Sequence, residues 1–136
     1  MNRIDERIPT VRKIATDRPD AQAFELCGQI TSADVENVYG LLEAAYGSHD
    51  TIDLLIRITD YEGVEWNALH LDTTRALETH SLQHIRRYAV VGGPAWLKGA
   101  IALFSPFFPM RMRHFDSTEE AEAWAFIDAR EIPEDV

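Results

Sequence analysis

Residues 90–115 read VVGGPAWLKGAIALFSPFFPMRMRHF, and this stretch decides the fold. An apolar strand pattern ends at a Gly-Gly-Pro break, an apolar helical pattern follows, and a second strand pattern begins at Met110. Glycine and proline are the strongest breaks between regular elements. The stretch therefore predicts a strand, a helix and a strand in succession, which is the unit from which parallel sheets are built.

Strand patterns recur toward the amino terminus. Five segments have the short apolar or alternating pattern of a strand: residues 11–15, 23–30, 52–58, 88–91 and 110–115. Pro19 lies in the turn between the first two, which predicts an antiparallel hairpin. In the third, Ile52, Leu54 and Ile56 share one face, and Leu55 lies on the other. The last segment alternates apolar and basic residues, so we expect it near the sheet edge.

Helical patterns separate the later strands. They cover residues 32–46, 67–81 and 94–104, with a last helix from residue 117 onward. Thr31 with Asp34 predicts the cap of the first helix, and Gly47 predicts its end. The run STEE at residues 117–120 predicts a capping box. Within the last helix we expect four residues to face inward: Ala121, Trp124, Ala125 and Ile127.

The order of these elements predicts an α/β fold. We expect one domain over residues 1–136 with its core at about 11–129. Strands that alternate with helices form a mixed, mostly parallel sheet, here of about five strands with about four helices.

Composition excludes several function classes. The net charge of −10 argues against nucleic acid as a partner, because phosphate binding needs clustered basic residues. One cysteine, Cys27, excludes an internal disulfide and fits a reducing compartment. The amino terminus is too polar for a signal peptide, and the longest uncharged run falls well below the roughly 20 residues of a membrane-spanning helix. We expect a cytoplasmic protein that can lie peripherally at the membrane.

The helix over residues 94–104 is more apolar than one buried stripe requires. Its apolar side chains span about 160° at roughly 100° per residue, whereas a core-facing stripe needs about 100°. Lys98 is the only charged residue between Gly92 and Met110. Three interpretations stay open: the surplus is core, lines a ligand pocket, or forms a surface patch for a membrane or a partner.

Seven apolar residues are candidates for ligand or membrane binding: Trp66, Trp96, Leu97, Ile101, Phe104, Phe107 and Phe108. Phe107 and Phe108 stand between two prolines, and loops of that kind are normally exposed. We therefore expect at least one of the two rings to face solvent. Trp66 and Trp96 begin helices that follow adjacent strands, which predicts a shared crevice at that edge of the sheet.

No pattern points to catalysis or to a metal. His80 and His84 are four residues apart, but we expect the helix to end between them at Ser81, and no Cys or His-Glu-x-x-His frame accompanies them. No nucleophile-elbow sequence is present. Cys27 is interpreted as a buried structural thiol. We therefore expect no catalytic residues, no metal and no cofactor.

Short segments, in their order and spacing, resemble the SpoIIAA-like family of small bacterial proteins, which have the STAS-type fold. They are FELCGQIT at 24–31, DYEG at 60–63, AVVG at 89–92 with Trp96, and FDS at 115–117 with Glu119, Glu120 and Ala121. The resemblance covers roughly residues 21–128. It implies a fold similar to the CRAL-TRIO lipid-binding fold, and it suggests ligand binding or membrane association rather than catalysis.

One segment departs from the STAS regulators of sigma factors, which carry a phosphorylatable Ser or Thr at the start of their second helix. Here residues 60–67 read DYEGVEWN, in which Tyr61 has the only hydroxyl. A phosphate at this position would meet like charge from Glu62 and Glu65. We therefore do not expect a kinase-switched sigma regulator.

These observations lead to three hypotheses. The first is a non-enzymatic module that binds an apolar small molecule, a lipid or the membrane surface through the helix over residues 94–104 and the loop after it. Lys98, Arg111 and Arg113 would then contact lipid phosphates. The second is a protein–protein interaction module, either a homodimer or a relative of the anti-sigma antagonists without the phosphorylation switch. The third, an enzyme, lacks any supporting constellation of residues.

Overall fold

The computed structural model describes residues 11–64, 84–107 and 110–132. Its centre is one five-stranded sheet in the order β1-β2-β3-β4-β5. The strands are β1 (Val11–Ile14), β2 (Ala21–Ile30), β3 (Ile52–Val64), β4 (Ile85–Gly92) and β5 (Arg111–Phe115). β1 pairs antiparallel with β2, and every later pair is parallel. The predicted hairpin, the mixed sheet and the edge position of β5 are confirmed.

Three α-helices lie in the described residues: α1 (Ser32–Tyr46), α2 (Ala95–Phe104) and α3 (Glu120–Phe126). Short 3₁₀ turns follow α2 at Ser105–Phe107 and precede α3 at Ser117–Glu119. The helix predicted over residues 67–81 lies outside the described residues, as does Trp66.

The amino-terminal cap of α1 forms as the sequence predicts. The Asp34 backbone N–H donates to Thr31 Oγ1 at 3.2 Å, and the Thr31 backbone N–H donates to Asp34 Oδ2 at 2.8 Å. Gly47 stands at the carboxyl-terminal cap. Because this reciprocal pair satisfies two backbone donors that a helix start leaves open, it fixes where α1 begins.

The two faces of the sheet carry separate apolar clusters. The connections β2-α1-β3 and β4-α2-β5 run in the same direction across the sheet, so their right-handed crossovers place α1 and α2 on one face. The cluster on that face consists of Phe24, Leu42, Ile52, Leu54, Ile56, Ile85 and Met110. The other face, under α3, contains Ile14, Ala21, Ala23, Leu55, Ala89, Val91, Phe115, Ala123, Trp124, Ile127 and Ala129. The predicted division of β3 residues between the faces is confirmed.

β3 is longer than its apolar pattern predicts. The predicted end of this strand at Ile58 is wrong, because β3 continues through residues 59–64 and pairs with the end of β2 at Gly63 and Val64. An irregularity between Cys27 and Gln29 absorbs the change of register. Asp60 has a positive φ of 47°, a conformation that Asp tolerates better than most residues. A polar strand of this kind has no hydrophobic alternation to reveal it.

The capping box before the last helix lies one residue ahead of its predicted position, and α3 itself begins at Glu120, after the 3₁₀ turn over Ser117–Glu119. The capping box joins Asp116 to Glu119 rather than Ser117 to Glu120, and the Asp116 backbone N–H donates to Glu119 Oε1 at 2.9 Å. Trp124 and Ile127 are buried as predicted. Ala121 and Ala125 are exposed, which corrects the prediction that they face inward.

Candidate binding surface

Two glycines let α2 lie close to the sheet. Gly92 and Gly93 have φ values of 80° and 90°, which side chains disfavour. A Cβ atom at Gly92 would lie 2.6 Å from the Ile58 carbonyl oxygen, and one at Gly93 would lie 2.8 Å from Leu97 Cδ2. The turn therefore brings the first turn of α2 directly against β3.

Packing of apolar side chains, rather than capping hydrogen bonds, stabilises α2. Pro94 at its amino-terminal cap provides no side-chain hydrogen bond, and the first turn has no acidic residue and the last turn no basic one. Ile101 is buried and Leu97 half-buried. Because helices of this length are marginal in isolation, the inward face must supply most of the stability of α2.

The opposite face of α2 presents large apolar side chains to solvent. Trp96 is 50% exposed, Leu103 65% and Phe107 81%. Trp96 and Leu103 are two helical turns apart and so lie on one side of the helix, and Phe107 follows in the 3₁₀ turn. We call these three residues the α2 ridge. None of the helices in the described part of the chain is long and apolar enough to cross a membrane.

The structure places the predicted binding residues in different environments. Trp96 and Phe107 are exposed, which confirms that at least one ring of the Phe107–Phe108 pair faces solvent. Ile101 packs inward. Leu97, in the first turn of α2, is half-buried against Gly93. Phe104 belongs to α2. Phe108 and Trp66 lie outside the described residues, so the shared Trp66–Trp96 crevice stays a prediction.

Leu103 was missed as a site candidate by sequence reasoning. Leu103 is part of the apolar arc of the helix over residues 94–104, but the arc alone does not show which of its edges faces solvent. The spacing of two helical turns from Trp96 is the signal that links them.

The basic candidates lie on different surfaces. Lys98 is exposed on α2. Arg111 and Arg113 extend to the opposite face of the sheet, where their guanidinium carbons lie 5.9 Å from the Phe126 ring centre and 4.9 Å from the Phe115 ring centre. Because side chains alternate along a strand, Met112 and His114 face α2 instead. The two arginines therefore do not lie beside the α2 ridge.

A buried carboxylate joins three arginines at the amino ends of β3 and β4. Asp53 is fully buried. Its Oδ2 accepts from Arg18 Nη2 at 2.9 Å, Arg86 Nη2 at 2.7 Å and Arg87 Nη2 at 2.9 Å. Burial alone would raise the pKa of Asp53, but hydrogen bonds from the three guanidinium groups outweigh it and hold the pKa well below its usual range.

Arg18 extends this cluster to the end of α3. Its Nη1 donates to the carbonyl oxygens of Ile127 and Asp128 at 2.8 and 2.9 Å, and its Nε donates to Asp20 at 3.0 Å. Apart from the Arg18–Asp20 pair, which lies within the β1–β2 turn, the contacts of the cluster join one element of the fold to another, so we assign it a structural role.

A second ionic network crosses the α3 face of the sheet. Arg57 Nη1 bonds to Glu120, and also to Glu131 at 3.1 Å. Its Nε is 3.5 Å from Glu25, which pairs with Arg12. Burial would lower the pKa of Arg57, but hydrogen bonds to Glu131 and Glu120 raise it above its ordinary value. Glu120 and Glu131 thereby tie α3 and the segment after it to β3.

The remaining polar candidates form no reactive group. Cys27 is half-buried rather than buried, with its sulfur 4.0 Å from Asp60 Oδ2. His114 Nε2 lies 2.8 Å from the Gly92 carbonyl oxygen, so this nitrogen carries the proton. His84 stacks on Tyr46, and its Nδ1 contacts the Asp50 carbonyl oxygen at 2.9 Å. Within the described ranges, no three His, Cys, Asp or Glu side chains are grouped to hold a metal.

Comparison with solved structures supports the fold. The chain is similar to a crystal structure from Shewanella loihica, described as an uncharacterized protein of the DUF3478 family with a SpoIIAA-like fold. The two share 24% sequence identity with a TM-score of 0.64, and the match covers 87% of this chain and 95% of that one. At this identity the similarity establishes the fold alone.

Comparison of sequences gives the family. No curated protein matches the chain. The SpoIIAA-like family model matches residues 22–128, which span the sheet from β2 to the end of α3. The chain belongs to the SpoIIAA-like family.

Proposed function

We propose that this protein is a non-enzymatic binding module whose α2 ridge inserts into the surface of a lipid bilayer. The observation that carries the proposal is the exposure of Trp96 and Leu103 on one side of α2 and of Phe107 in the turn that follows it. An isolated exposed apolar residue needs no explanation, whereas a contiguous group marks an interaction surface. Tryptophan also favours the interface between lipid and water.

The shape of the surface favours a bilayer over an apolar small molecule. Small-molecule sites are concave and enclose most of the ligand. The α2 ridge instead lies on the outer side of a helix and in the turn after it, where Leu103 is 65% and Phe107 81% exposed. A ridge of this kind fits between lipid headgroups, although an acyl chain or another apolar ligand would contact the same side chains.

The apolar area predicts weak and reversible binding. Full burial of one large apolar side chain contributes about 1.5–3 kcal/mol, so the exposed parts of three contribute about 3–6 kcal/mol together. A single myristoyl chain gives reversible membrane binding in a comparable range. We therefore expect the protein to exchange between the membrane surface and solution.

A protein–protein interaction module is the second candidate. Ala95, Gly99 and Ala102 are exposed beside the ridge, and a Cβ atom at Gly99 would meet nothing within 4 Å. Small residues of this kind let a second helix approach closely. A stable interface, however, buries about 800 Å² on each partner, whereas the three ridge side chains offer roughly 400 Å². The area therefore favours the bilayer.

Vesicle flotation combined with native mass spectrometry tests the proposal. Leu103→Ser/Phe107→Ser should abolish flotation with lipid vesicles while leaving the melting temperature nearly unchanged. Ile132→Ser is the matched control, because Ile132 is 46% exposed but lies beside β1, away from the ridge. Wild-type protein that does not float, but forms a dimer lost in the double variant, would support the second candidate instead.

A further inference from the structure

The distribution of charge around the α2 ridge indicates which lipid surface it meets. We propose that the ridge binds electrically neutral, zwitterionic surfaces in preference to anionic ones, an inference that rests on the bilayer function proposed above. Binding by apolar area alone is compatible with any lipid headgroup, so the selectivity must come from the charges near the ridge.

Most described basic side chains are held away from the ridge. Arg18, Arg86 and Arg87 surround Asp53 at the amino ends of β3 and β4, whereas α2 begins beyond the carboxyl end of β4. Arg57 and Arg12 are paired with glutamates on the α3 face. Arg111 and Arg113 lie on that face as well. None of these seven arginines stands on the surface that carries the ridge.

Lys98 is thus the only basic residue on α2 itself. Stable attraction to anionic lipid normally requires a cluster of four to eight basic residues. The chain offers one lysine here against a net charge of −10.

Acidic groups stand at the sheet edge where α2 begins. Asp60 and Glu62, near the end of β3, and Asp116, directly after β5, are all exposed. Strands β3, β4 and β5 are parallel, so these three groups and the start of α2 share the carboxyl edge of the sheet. An anionic surface that approached the start of α2 would therefore approach these exposed carboxylates as well, and their repulsion is screened over a Debye length of roughly 10 Å at moderate salt.

The test compares flotation of the full chain with two vesicle types. One is phosphatidylcholine alone, and the other contains phosphatidylglycerol as about a third of the lipid, which gives a negative surface potential. At low salt we expect severalfold tighter binding to the neutral vesicles. At high salt the difference should disappear, because screening removes the repulsion and leaves the apolar contribution.

A variant with a reversed charge tests the preference for neutral lipid separately from membrane binding itself. Glu62→Lys, away from the ridge, should strengthen binding to anionic vesicles at low salt and leave binding to neutral vesicles unchanged. Equal or tighter binding of the wild type to anionic vesicles at low salt would overturn the preference while keeping the bilayer function. Failure of the folded wild-type protein to float with either vesicle type would overturn both the preference and the bilayer function.

Discussion

At the scale of single residues, Asp53 is the most constrained position. Its carboxylate lies fully buried in β3 and receives hydrogen bonds from three arginines that come from the β1–β2 turn and from β4. A buried charge is tolerated when it is paired and hydrogen-bonded on all sides. Removing one partner is costly, because the remaining charges stay buried without compensation.

Asp53→Asn is therefore expected to lower the free energy of unfolding by about 3–5 kcal/mol. The amide keeps the shape of the carboxylate but removes the negative charge that three guanidinium groups share, although Arg18 keeps its pairing with Asp20. Urea denaturation measures the change. Asp50→Asn is the matched control, because Asp50 is exposed just before β3 and its substitution should change stability by less than about 0.5 kcal/mol. Equal effects of the two changes would contradict the structural role of the cluster.

At the scale of one element, α2 shows how a helix is divided between core and surface. Gly93, which precedes α2, and Gly99, which lies within it, differ in their surroundings. A Cβ atom at Gly93 would lie 2.8 Å from Leu97 Cδ2 and 3.2 Å from Ile58 Cδ1, at a positive φ. At Gly99 it would meet open space within the helix.

Alanine at these two glycines should have opposite effects on stability. Gly93→Ala is expected to destabilise by about 1–3 kcal/mol, because it adds strain and a steric overlap. Gly99→Ala is expected to stabilise by about 0.5–1 kcal/mol, because alanine favours the helix. Thermal unfolding of both variants measures the difference. A destabilising Gly99→Ala would show that the outer face of α2 is covered.

Substitutions in the α2 ridge and on the inward face of α2 should differ in their effect on the free energy of unfolding. Ile101→Ala removes a buried side chain and should cost about 2–5 kcal/mol. Phe107→Ala should change stability by less than about 0.5 kcal/mol, because its ring is 81% exposed. Chemical denaturation of both variants tests this. A large loss for Phe107→Ala would place its ring in the core and remove the support for an insertion surface.

At the scale of the whole molecule, ion pairs link the sheet to the segments that cover it. The Asp53 cluster joins the β1–β2 turn, β3, β4 and the end of α3. The Arg57 network joins β3 to α3 through Glu120 and to the following segment through Glu131. Protonation of these carboxylates should therefore destabilise the domain as a whole.

Acid should destabilise the protein in a defined range. Burial would raise the pKa of Glu25, but Arg12 and Arg57 hold it below the ordinary value, and the pKa of Asp53 is depressed as well. Such groups contribute stability above their unfolded pKa, near 4 for Asp and Glu, and lose it as pH falls toward their folded pKa. We expect constant stability from about pH 6 to 8 and a decline below about pH 4.5.

The Asp53→Asn variant checks the source of this dependence. It should show a shallower loss of stability below pH 4.5 than the wild type, because one of the depressed carboxyls is absent. Unfolding midpoints measured across the pH range give the slope. A wild-type decline centred near neutral pH would indicate that other groups control stability.

The sequence by itself determined the order and type of most elements. Glycine, proline and capping residues act locally, so Thr31, Gly47 and the Gly92–Gly93–Pro94 break could be read without the fold. The apolar period assigned Leu54 and Leu55 to opposite faces for the same reason. The apolar excess of α2 was also visible in its composition.

Only the tertiary structure decided which side of α2 faces outward, how far β3 extends, and what surrounds Asp53. Each depends on partners distant in sequence: Ile58 beneath Gly93, the end of β2 beside Gly63, and arginines 33 to 35 residues away. The signals for the cluster were a lone carboxylate in an apolar strand and two adjacent arginines at the start of β4. Contacts across such distances depend on how the strands and helices are arranged in the whole fold, because tertiary context overrides local preference.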